Sequence, residues 1–576
     1  MALQSILQII VTLLIGLLIS IPVGRYLARV VTDQKTLLDP AFDPLDNFIY
    51  RLIGRQICRQ GMPWKTYTIH MLLTNLMMAV LIYLVLVFQD YLPLNPLHFG
   101  GMDPLLAFNT AISFITNTDW QAYSGETTLS NFSQMAAITF PMFTSAATGF
   151  VVAMAFIRAF TPGRNGADLG NFYRDLVRFT TRVLMPAAFL LAVLSIQQGE
   201  PQTLDAAVTA HTIAGKEQTI ALGPVASLET IKHLGTNGGG FFNANAAHPY
   251  ENPTAITNLA QTLLMIILPA SIVLCFGYMI GNRRQGWMLY AVMGALLLLF
   301  LPITIWAEQA GTASLTQAGI ETTATATQPG GNMEGKEVRF GIAQSGLFNT
   351  VTTSFTTGSV NSMFDSFTPL GAMPAFVGMM LQCIFGGKGV GFLAALVYGI
   401  VAVFVAGLMV GRTPEFLGKK IEKPEIVLVS LTLLIHPLVI LTPTAWSVVA
   451  PYALASMGNG GIHGYSEVLF AFATSAANNG SAFAGLNANT TWYNLATAFV
   501  ILIGRYPPII FMMAVAGSVA AKPTSPATTG TLRTDTPLFA VFWFGVILIV
   551  GALTFVPALA LGPVAEYFAM RAHLLF

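Results

Sequence analysis

Long apolar stretches alternate with shorter polar connections along the entire chain. A helix needs about 20 mostly apolar residues to cross a bilayer, and ten stretches approach or exceed that length. We therefore predict an all-α polytopic membrane protein, built as a single integral-membrane domain over residues 1–576. The predicted spans cover residues 5–24, 69–89, 132–157, 183–198, 257–281, 286–306, 370–411, 425–450, 492–520 and 537–560.

The composition agrees with this class of protein. Hydrophobic residues make up 54% of the chain and charged residues only 9%, whereas a soluble domain carries about 25% charged residues. A net charge of +1 gives no reason to expect a nucleic-acid partner. The three cysteines show no paired spacing and the histidines form no ligand pattern, so neither a disulfide nor a metal cluster is predicted.

Lysine and arginine are distributed unevenly between the two sides of the predicted spans. Of the 27 basic residues, 20 fall in connections on one side, within residues 25–65, 158–182, 283–284, 412–423 and 522–533. The other side holds five, and Lys388 and Arg505 lie inside apolar segments. Basic residues mark the cytoplasmic side. We therefore expect both termini outside, an even number of spans and a location in a bacterial cytoplasmic membrane.

The seventh predicted span, residues 370–411, is too long for one straight helix. Two crossings would place the basic residues 412–423 outside, so we predict one crossing that is broken at residues 385–391. Gly387 and Gly389 flank Lys388 in this segment, and glycine weakens a helix. Non-helical backbone at membrane depth is tolerated where protein or water surrounds it. The break is a candidate gate, and a kinked helix without a gating role is the alternative.

Four short polar loops recur at nearly constant spacing. We name them the first to fourth polar loops, residues 116–120, 236–242, 356–360 and 478–482. When the loops are aligned on Thr118, Gly238, Gly358 and Gly480, successive positions are 120, 120 and 122 residues apart. A regular spacing of this kind indicates an internal repeat.

A short segment precedes each polar loop and is too brief to cross the membrane. These segments, which we name half-helices, are predicted near residues 104–115, 226–235, 345–356 and 465–476. The predicted unit is a span, a half-helix, a polar loop and a second span. Four units give four-fold pseudosymmetry, with one extra span at each end of the chain. The units are residues 66–157, 183–282, 286–411 and 425–520, and the extra spans are residues 1–24 and 537–560.

This arrangement predicts a cation site. Each half-helix enters from outside and directs its C-terminal end, which carries a partial charge of roughly −0.5, toward the membrane interior. Glycine, asparagine and serine in the loops tolerate unusual backbone angles, so that carbonyl oxygens can face a common axis. Rings of carbonyls replace the hydration shell of a potassium ion in channel filters. A single Asn-Gly pair is usually only a turn, but four such loops with regular spacing point to one shared site.

The first two loops carry the most specific motifs. Residues 116–125 read TNTDWQAYSG, and residues 235–245 read GTNGGGFFNAN. These motifs, the length, the ten spans and the broken seventh span resemble the KdpA family from end to end. That family is the potassium-binding subunit of the bacterial Kdp potassium-transporting ATPase, and it is related to the Trk, Ktr and HKT transporters.

The resemblance implies a potassium filter on the four loops. Gln121 is expected directly after the first filter segment, and Asp119 near the filter mouth. Because the loops lack the Thr-Val-Gly-Tyr-Gly motif of symmetric channels, and the first loop has Thr118 where the others have glycine, fewer equivalent ion sites are expected. The implied filter residues are Asn117, Thr118, Asn237, Gly238, Gly239, Thr357, Gly358, Ser359, Asn479, Gly480 and Ser481.

The same resemblance implies a larger assembly. Potassium would be taken from outside and passed through an intramembrane path to KdpB, the P-type ATPase subunit, with KdpC and KdpF completing the complex. The chain itself has neither a Walker motif nor the P-type phosphorylation motif, so no bound nucleotide is expected. A stand-alone Trk-like potassium or sodium channel is the alternative. No nucleophile–base pair or acidic dyad indicates an integral-membrane enzyme.

Two basic residues within apolar segments are candidates for the ion path. Lys388 can repel cations below the filter, or its side chain can extend to the cytoplasmic interface. Arg505 precedes Pro507 and Pro508. An arginine inside a membrane is costly and is a functional candidate by default, but it can also pair with the carbonyls that the prolines leave free.

Overall fold

The structure is a computed structural model that describes residues 3–162, 168–325, 328–387, 389–525, 531–572 and 574. Among these residues, ten helices are long and apolar enough to cross a membrane, as the sequence predicts. We number these spans in chain order. They are Leu3–Val31, Trp64–Val87, Asn131–Arg158, Phe172–Gln198, Ala255–Met279, Arg283–Ala310, Val390–Met409, Lys423–Ser447, Thr491–Ala521 and Pro537–Leu559.

The four half-helices form where the spacing predicts them. They are Pro104–Ile115, Val225–Leu234, Gly341–Ser354 and Gly461–Ala477, so the third and the fourth each begin four residues earlier than predicted. The first begins at an Asp103 cap, whose carboxylate accepts the backbone N–H groups of Leu105 and Leu106. A residue in the left-handed conformation follows each half-helix, either directly or after one intervening residue. These residues are Asn117, Thr236, Thr356 and Asn478.

The seventh span is broken, as predicted, but the break lies at residues 382–389 instead of 385–391. The helix Pro369–Leu381 precedes the break and Val390–Met409 follows it. The break starts early because Gln382 adopts a left-handed φ of 52°, and its side-chain amide donates a hydrogen bond to the Ala477 carbonyl, 3.0 Å away. Val390 and Gly391, which we predicted to lie in the break, are helical. Lys388 lies outside the described residues.

The fourth span begins at Phe172, well before the predicted residue 183. Its first turns carry Arg182, whose charge obscured the apolar pattern. The side chain of Arg182 is fully buried and contacts Asp39 at 2.9 Å, Asp43 at 2.6 Å and Asp46 at 2.9 Å. These aspartates lie on Asp39–Ile53, a helix of the connection between the first two spans that the sequence analysis missed. Local compensation of the arginine charge lets the span continue.

The two extra spans pack against the repeated units. Gly16 and Gly24 of the first span pack directly against the fifth span, and the indole of Trp543 on the tenth span donates a hydrogen bond to the Ala395 carbonyl at 3.1 Å. Two short antiparallel ladders are also present among the described residues. They are Ala207–His211 with Glu217–Ala221, and Glu415–Phe416 with Lys419–Lys420.

The N-terminal end of the first span and the C-terminal end of the tenth span lie on the side where the half-helices begin, which we name the half-helix side. Gln344 of the third half-helix donates a hydrogen bond to Gln8 near the N-terminus, with N and O 3.1 Å apart. His463 of the fourth half-helix lies 2.7 Å from Glu566, which follows the tenth span. This placement agrees with an even number of crossings.

Candidate functional site

A repeated backbone hydrogen bond defines which positions of the four polar loops are equivalent. In each loop a backbone N–H donates to the carbonyl five residues earlier, at distances of 2.8–3.0 Å. The equivalent donors are Thr118, Asn237, Thr357 and Asn479. The sequence alignment is therefore wrong by one residue in the first loop, because it paired Thr118 with Gly238, Gly358 and Gly480.

The corrected alignment places Asp119 opposite the glycines. Asp119 adopts a left-handed φ of 54°, and Gly358 and Gly480 have φ values of 97° and 91°. Aspartate is one of the few residues other than glycine that tolerates this conformation. Spacing alone misses the shift, because the first loop lacks a glycine on which to align.

The backbones of the four loops meet at one point, with no room for side chains between them. A β-carbon at Gly238 would lie 2.8 Å from the carbonyl oxygens of both Thr118 and Asn479, and 3.3 Å from that of Thr357. A β-carbon at Gly358 would collide with the Asn479 carbonyl, and one at Gly480 with the Thr118 carbonyl. Carbonyl oxygens from equivalent positions of three loops thus surround the backbone of the second loop.

Side-chain amides hold the loops together and leave these carbonyls to face the shared point. The Asn117 amide donates to the Thr236 carbonyl at 2.9 Å, and Asn479 donates to the Thr352 carbonyl at 2.9 Å. Asn478 donates to the Thr118 hydroxyl at 3.0 Å. These hydrogen bonds between protein groups fix the backbone geometry of the loops.

The first loop also supports the second through two side chains that we predicted near the filter. The Asp119 carboxylate accepts a hydrogen bond from the Gly238 backbone N–H at 3.2 Å, so this acidic group of the first loop contacts the second loop. The Gln121 side-chain oxygen accepts the Gly240 N–H at 2.8 Å. A change at either residue would therefore move the backbone of the second loop.

A buried charged cluster behind the second loop was not found from the sequence. The Lys232 ammonium lies 2.7 Å from Glu229, 2.8 Å from Glu251 and 3.0 Å from the side-chain oxygen of Asn245. The Asn245 amide donates to the Gly239 carbonyl. Lys232 had been counted only as a basic residue of an outer connection, because no sequence pattern links it to Glu251 and Asn245, which lie beyond the second polar loop.

Loops two and three are joined by a histidine. The two ring nitrogens of His233 lie 2.8 Å from the Glu229 carbonyl and 2.8 Å from the Ser359 hydroxyl. Ser359 also donates to Asn245, with the oxygens 3.2 Å apart. His233, to which the sequence analysis assigned no role, thus connects the second half-helix to the third loop.

A cavity of about 710 Å³ opens above the meeting point. Residues of all four loops line it, including Trp120 and Gln121 of the first, Gly239 of the second, Gly358 of the third and Gly480 of the fourth. The lining contains many polar groups and backbone atoms. A hydrated ion on this side can therefore reach the loop carbonyls.

The break in the seventh span lies directly against the ends of the half-helices. The Gly386 N–H donates to the Ser354 carbonyl at 3.1 Å, and a β-carbon at Gly387 would lie 2.7 Å from the Phe355 carbonyl. A β-carbon at Gly389 would lie 2.6 Å from the Gly149 carbonyl of the third span. The broken backbone is therefore held between the polar loops and the spans beneath them.

Arg505 is buried in the ninth span near the same point. Gly504, next to it, packs against the end of the fourth half-helix at Ala476. The terminal guanidinium nitrogens of Arg505 make no hydrogen bond to any described residue, so pairing with carbonyls freed by Pro507 and Pro508 is not observed. Arg505 lies close enough to Asp119 for the two charges to interact.

Four half-helices, each followed by a polar loop that reaches one shared point, define a membrane transporter fold with four-fold pseudosymmetry. The fold is similar to that of the potassium transporter TrkH from Vibrio parahaemolyticus, with a TM-score of 0.52 at 15% identity, over 89% of this chain and 98% of that chain. The sequence model of the KdpA family, described as the potassium-transporting ATPase A subunit, matches residues 10–568. The chain belongs to the KdpA family.

Curated relatives match over nearly the full length. Each of three examples is named potassium-transporting ATPase potassium-binding subunit. The protein from Delftia acidovorans is 50% identical over 558 residues, 97% of each chain. That from Mesorhizobium japonicum is 50% identical over 572 residues, 99% of each chain. That from Geobacillus kaustophilus is 49% identical over 558 residues, 97% of this chain and 98% of the relative.

Proposed function

We propose that this chain is the potassium-binding subunit of a Kdp-type potassium-transporting ATPase and that it binds potassium at the four polar loops. The observation that carries the proposal is the convergence of the Thr118, Thr357 and Asn479 carbonyl oxygens around Gly238. Full-length identity of about 50% to proteins with this name supports the ion and the type of complex.

The binding chemistry follows from the backbone. Four half-helix ends contribute partial negative charge at the shared point. Carbonyl oxygens then replace water around potassium, and the interloop hydrogen bonds keep them in place. The residues of this proposed filter are Asn117, Thr118, Asn237, Gly238, Gly239, Thr357, Gly358, Ser359, Asn479, Gly480 and Ser481, with Asp119 and Gln121 as their neighbours on the first loop.

The half-helix side is proposed to face outward. The excess of basic residues on the opposite side supports this orientation. The cavity above the loops then opens to the outside, and both termini lie outside a bacterial cytoplasmic membrane. Potassium enters the loops through this cavity.

Transfer of the ion to the ATPase subunit is the second part of the proposal. In this scheme potassium leaves the loops through an intramembrane path to KdpB, with KdpC and KdpF completing the assembly. Family membership supports the complex. The break at Gly387 and Gly389 and the buried Arg505 adjoin the loops, and with Lys388 they are the proposed gate or path residues.

Ion binding to the purified chain tests the filter. We expect potassium and rubidium to compete for one class of site that sodium displaces poorly. Gly238→Asp places a side chain and a negative charge among three carbonyls, so it should abolish or broaden this selectivity. Unchanged selectivity for potassium over sodium in the variant would disprove the filter assignment.

A second measurement separates the ATPase subunit from a stand-alone channel. Co-purification of the chain with a P-type ATPase subunit is expected. Potassium conductance of the isolated chain in planar bilayers, without such a partner, would favour the channel.

A further inference from the structure

The helix Asp39–Ile53, which we name the connection helix, carries large apolar side chains on an exposed face. Leu45 is 37% exposed, Phe48 is 56% exposed and Leu52 is 72% exposed. A helix turns by about 100° per residue, so these three positions lie on one face. The connection helix therefore presents a continuous apolar stripe to its surroundings.

The opposite face of the connection helix is acidic and points into the protein. Asp39, Asp43 and Asp46 lie on this face, and each contacts the Arg182 guanidinium at 2.6–2.9 Å. The Arg182 side chain is fully buried. The usual pattern of a surface helix is thus reversed, with carboxylates inside and apolar side chains outside. A contiguous exposed apolar patch marks a surface that contacts a membrane or another molecule.

The connection helix lies at the level of the membrane boundary. A hydrocarbon core of about 30 Å takes about 20 residues of helix, so the part of the fourth span within the core ends at Gln198 and begins about 20 residues earlier. The Thr181 hydroxyl, near that point, donates a hydrogen bond to Asp46 at 2.9 Å. Tyr50 lies close to Arg178, one turn nearer the start of the span. The connection helix therefore packs beside the fourth span in the headgroup layer, and its apolar stripe points sideways, away from the protein.

The residues around the stripe match a lipid surface with negative headgroups. Met185, about one turn deeper in the fourth span than Arg182, is 38% exposed, so the exposed apolar surface of the span continues next to the stripe. Three exposed arginines lie at the end of the connection helix and after it, and within the described part of the chain they form no ion pair. These residues are Arg51, Arg55 and Arg59. Juxtamembrane basic residues are attracted to the anionic lipids of the cytoplasmic leaflet, and helices with a Phe- and Leu-bearing face lie at the acyl boundary.

We propose that the outer face of the connection helix is a binding surface for anionic phospholipids of the cytoplasmic leaflet. The apolar stripe contacts the upper part of the acyl chains, and the three arginines pair with headgroup phosphates. The choice of leaflet rests on the proposed outward orientation of the half-helix side, whereas the contact with lipid does not. Bound lipid holds the connection helix against the fourth span, where its carboxylates neutralise the buried Arg182.

Fluorescence quenching in lipid nanodiscs tests the position of the stripe. The full-length Phe48→Cys chain is labelled with a fluorophore and placed in phosphatidylcholine nanodiscs. The three native cysteines are buried, and the wild-type chain treated with the same reagent gives the background. We expect phosphatidylcholine with a nitroxide near the top of its acyl chain to quench the label at position 48, and aqueous iodide to quench it weakly.

The same label reports the preference for headgroups. Traces of nitroxide-labelled phosphatidylglycerol should quench position 48 more strongly than equal traces of nitroxide-labelled phosphatidylcholine. A basic residue near an anionic surface contributes about 1 kcal/mol to binding, which is roughly a 5-fold change in affinity. Arg51→Gln with Arg55→Gln should therefore weaken the binding of phosphatidylglycerol by roughly 30-fold. Quenching by phosphatidylcholine should remain in this double variant, which shows that the connection helix is still in place.

Two matched controls use other exposed positions on the same side of the membrane. Asn47→Cys carries the label on the neighbouring residue of the connection helix, off the apolar stripe, so iodide should quench it more strongly than position 48. Arg283→Gln with Arg284→Gln removes the same charge at the start of the sixth span. It should leave the phosphatidylglycerol preference at position 48 unchanged.

Three results would overturn the proposal. If iodide quenches position 48 as strongly as position 47 and nitroxide-labelled lipid does not, the stripe lies in water or is covered by a protein partner in the complex. If phosphatidylglycerol quenches no more than phosphatidylcholine, or if both double arginine variants lose the preference equally, the arginines do not form an anionic lipid site. Rubidium binding to the same preparations reports on the polar loops alone, so failure of the proposed potassium site is distinguishable from failure of the lipid surface.

Discussion

Gly358→Ala is the sharpest test of the proposed carbonyl ring. Gly358 has a φ of 97°, and its added β-carbon would collide with the Asn479 carbonyl oxygen and lie 3.0 Å from the Gly238 α-carbon. A left-handed alanine costs about 1–2 kcal/mol. Displacing one carbonyl from a cation costs about 1.5–3 kcal/mol more. The strain destabilises the folded chain with or without potassium, so only the displaced carbonyl changes binding, and we expect roughly a 10- to 100-fold rise in the potassium Kd.

The assay is equilibrium binding of radioactive rubidium to the purified chain, with potassium as competitor. Gly294→Ala provides a matched control, because a β-carbon at Gly294 meets no atom within 4 Å. We expect its Kd to remain close to that of the wild type. Size-exclusion chromatography and circular dichroism establish that both variants are folded. A folded Gly358→Ala chain that binds potassium as tightly as the Gly294→Ala chain would refute the reasoning.

Two further predictions concern buried charges on the half-helix side. Lys336 lies 2.6 Å from Glu308, and both side chains are fully buried. Lys336→Met should therefore destabilise the chain by about 3 kcal/mol in thermal unfolding, because it leaves the Glu308 carboxylate buried without its partner. Adding Glu308→Gln should restore part of the lost stability. Equal stability of the single and double variants would contradict this prediction. Although burial acts in the opposite direction, hydrogen bonds to Asp365 and Glu566 raise the pKa of His463 to about 10. The stabilisation by the protonated imidazole is complete below the unfolded-state pKa of about 6.5 and is lost as the pH rises toward 10. His463→Gln should therefore lower Tm more at pH 6 than at pH 10. An equal decrease in Tm at the two pH values would argue against the ion pairs.

The sequence was sufficient to predict the features that depend on local composition. Apolar length identified the ten spans, and regular spacing located the half-helices. Basic residues in the connections indicated which side of the membrane each connection occupies. The even number of crossings that follows predicted a single, broken seventh span. Each inference uses a property that is continuous along the chain, so it does not require knowledge of contacts between distant segments.

Contacts between distant segments account for what the sequence analysis missed. The Lys232 cluster joins residues 229–251 with a carboxyl group at position 200, and no periodic pattern marks such a set. The fourth span appeared too short because the aspartates that neutralise Arg182 belong to another helix. The early start of the break depends on the contact of Gln382 with Ala477, which is 95 residues away.

The first loop departs from the four-fold pattern at Asp119, where the sequence alignment was wrong by one residue. At this position the third and fourth loops use glycine, and the first uses an aspartate whose carboxylate accepts the Gly238 N–H of the second loop. Gln121 adds a second bond between the same loops, and Asn245 joins the second loop to the third. The second loop is therefore held from both sides by the chain itself. Because the chain itself supplies these bonds, protein contacts order the backbone of the second loop, and more of the carbonyl–ion interaction remains as affinity.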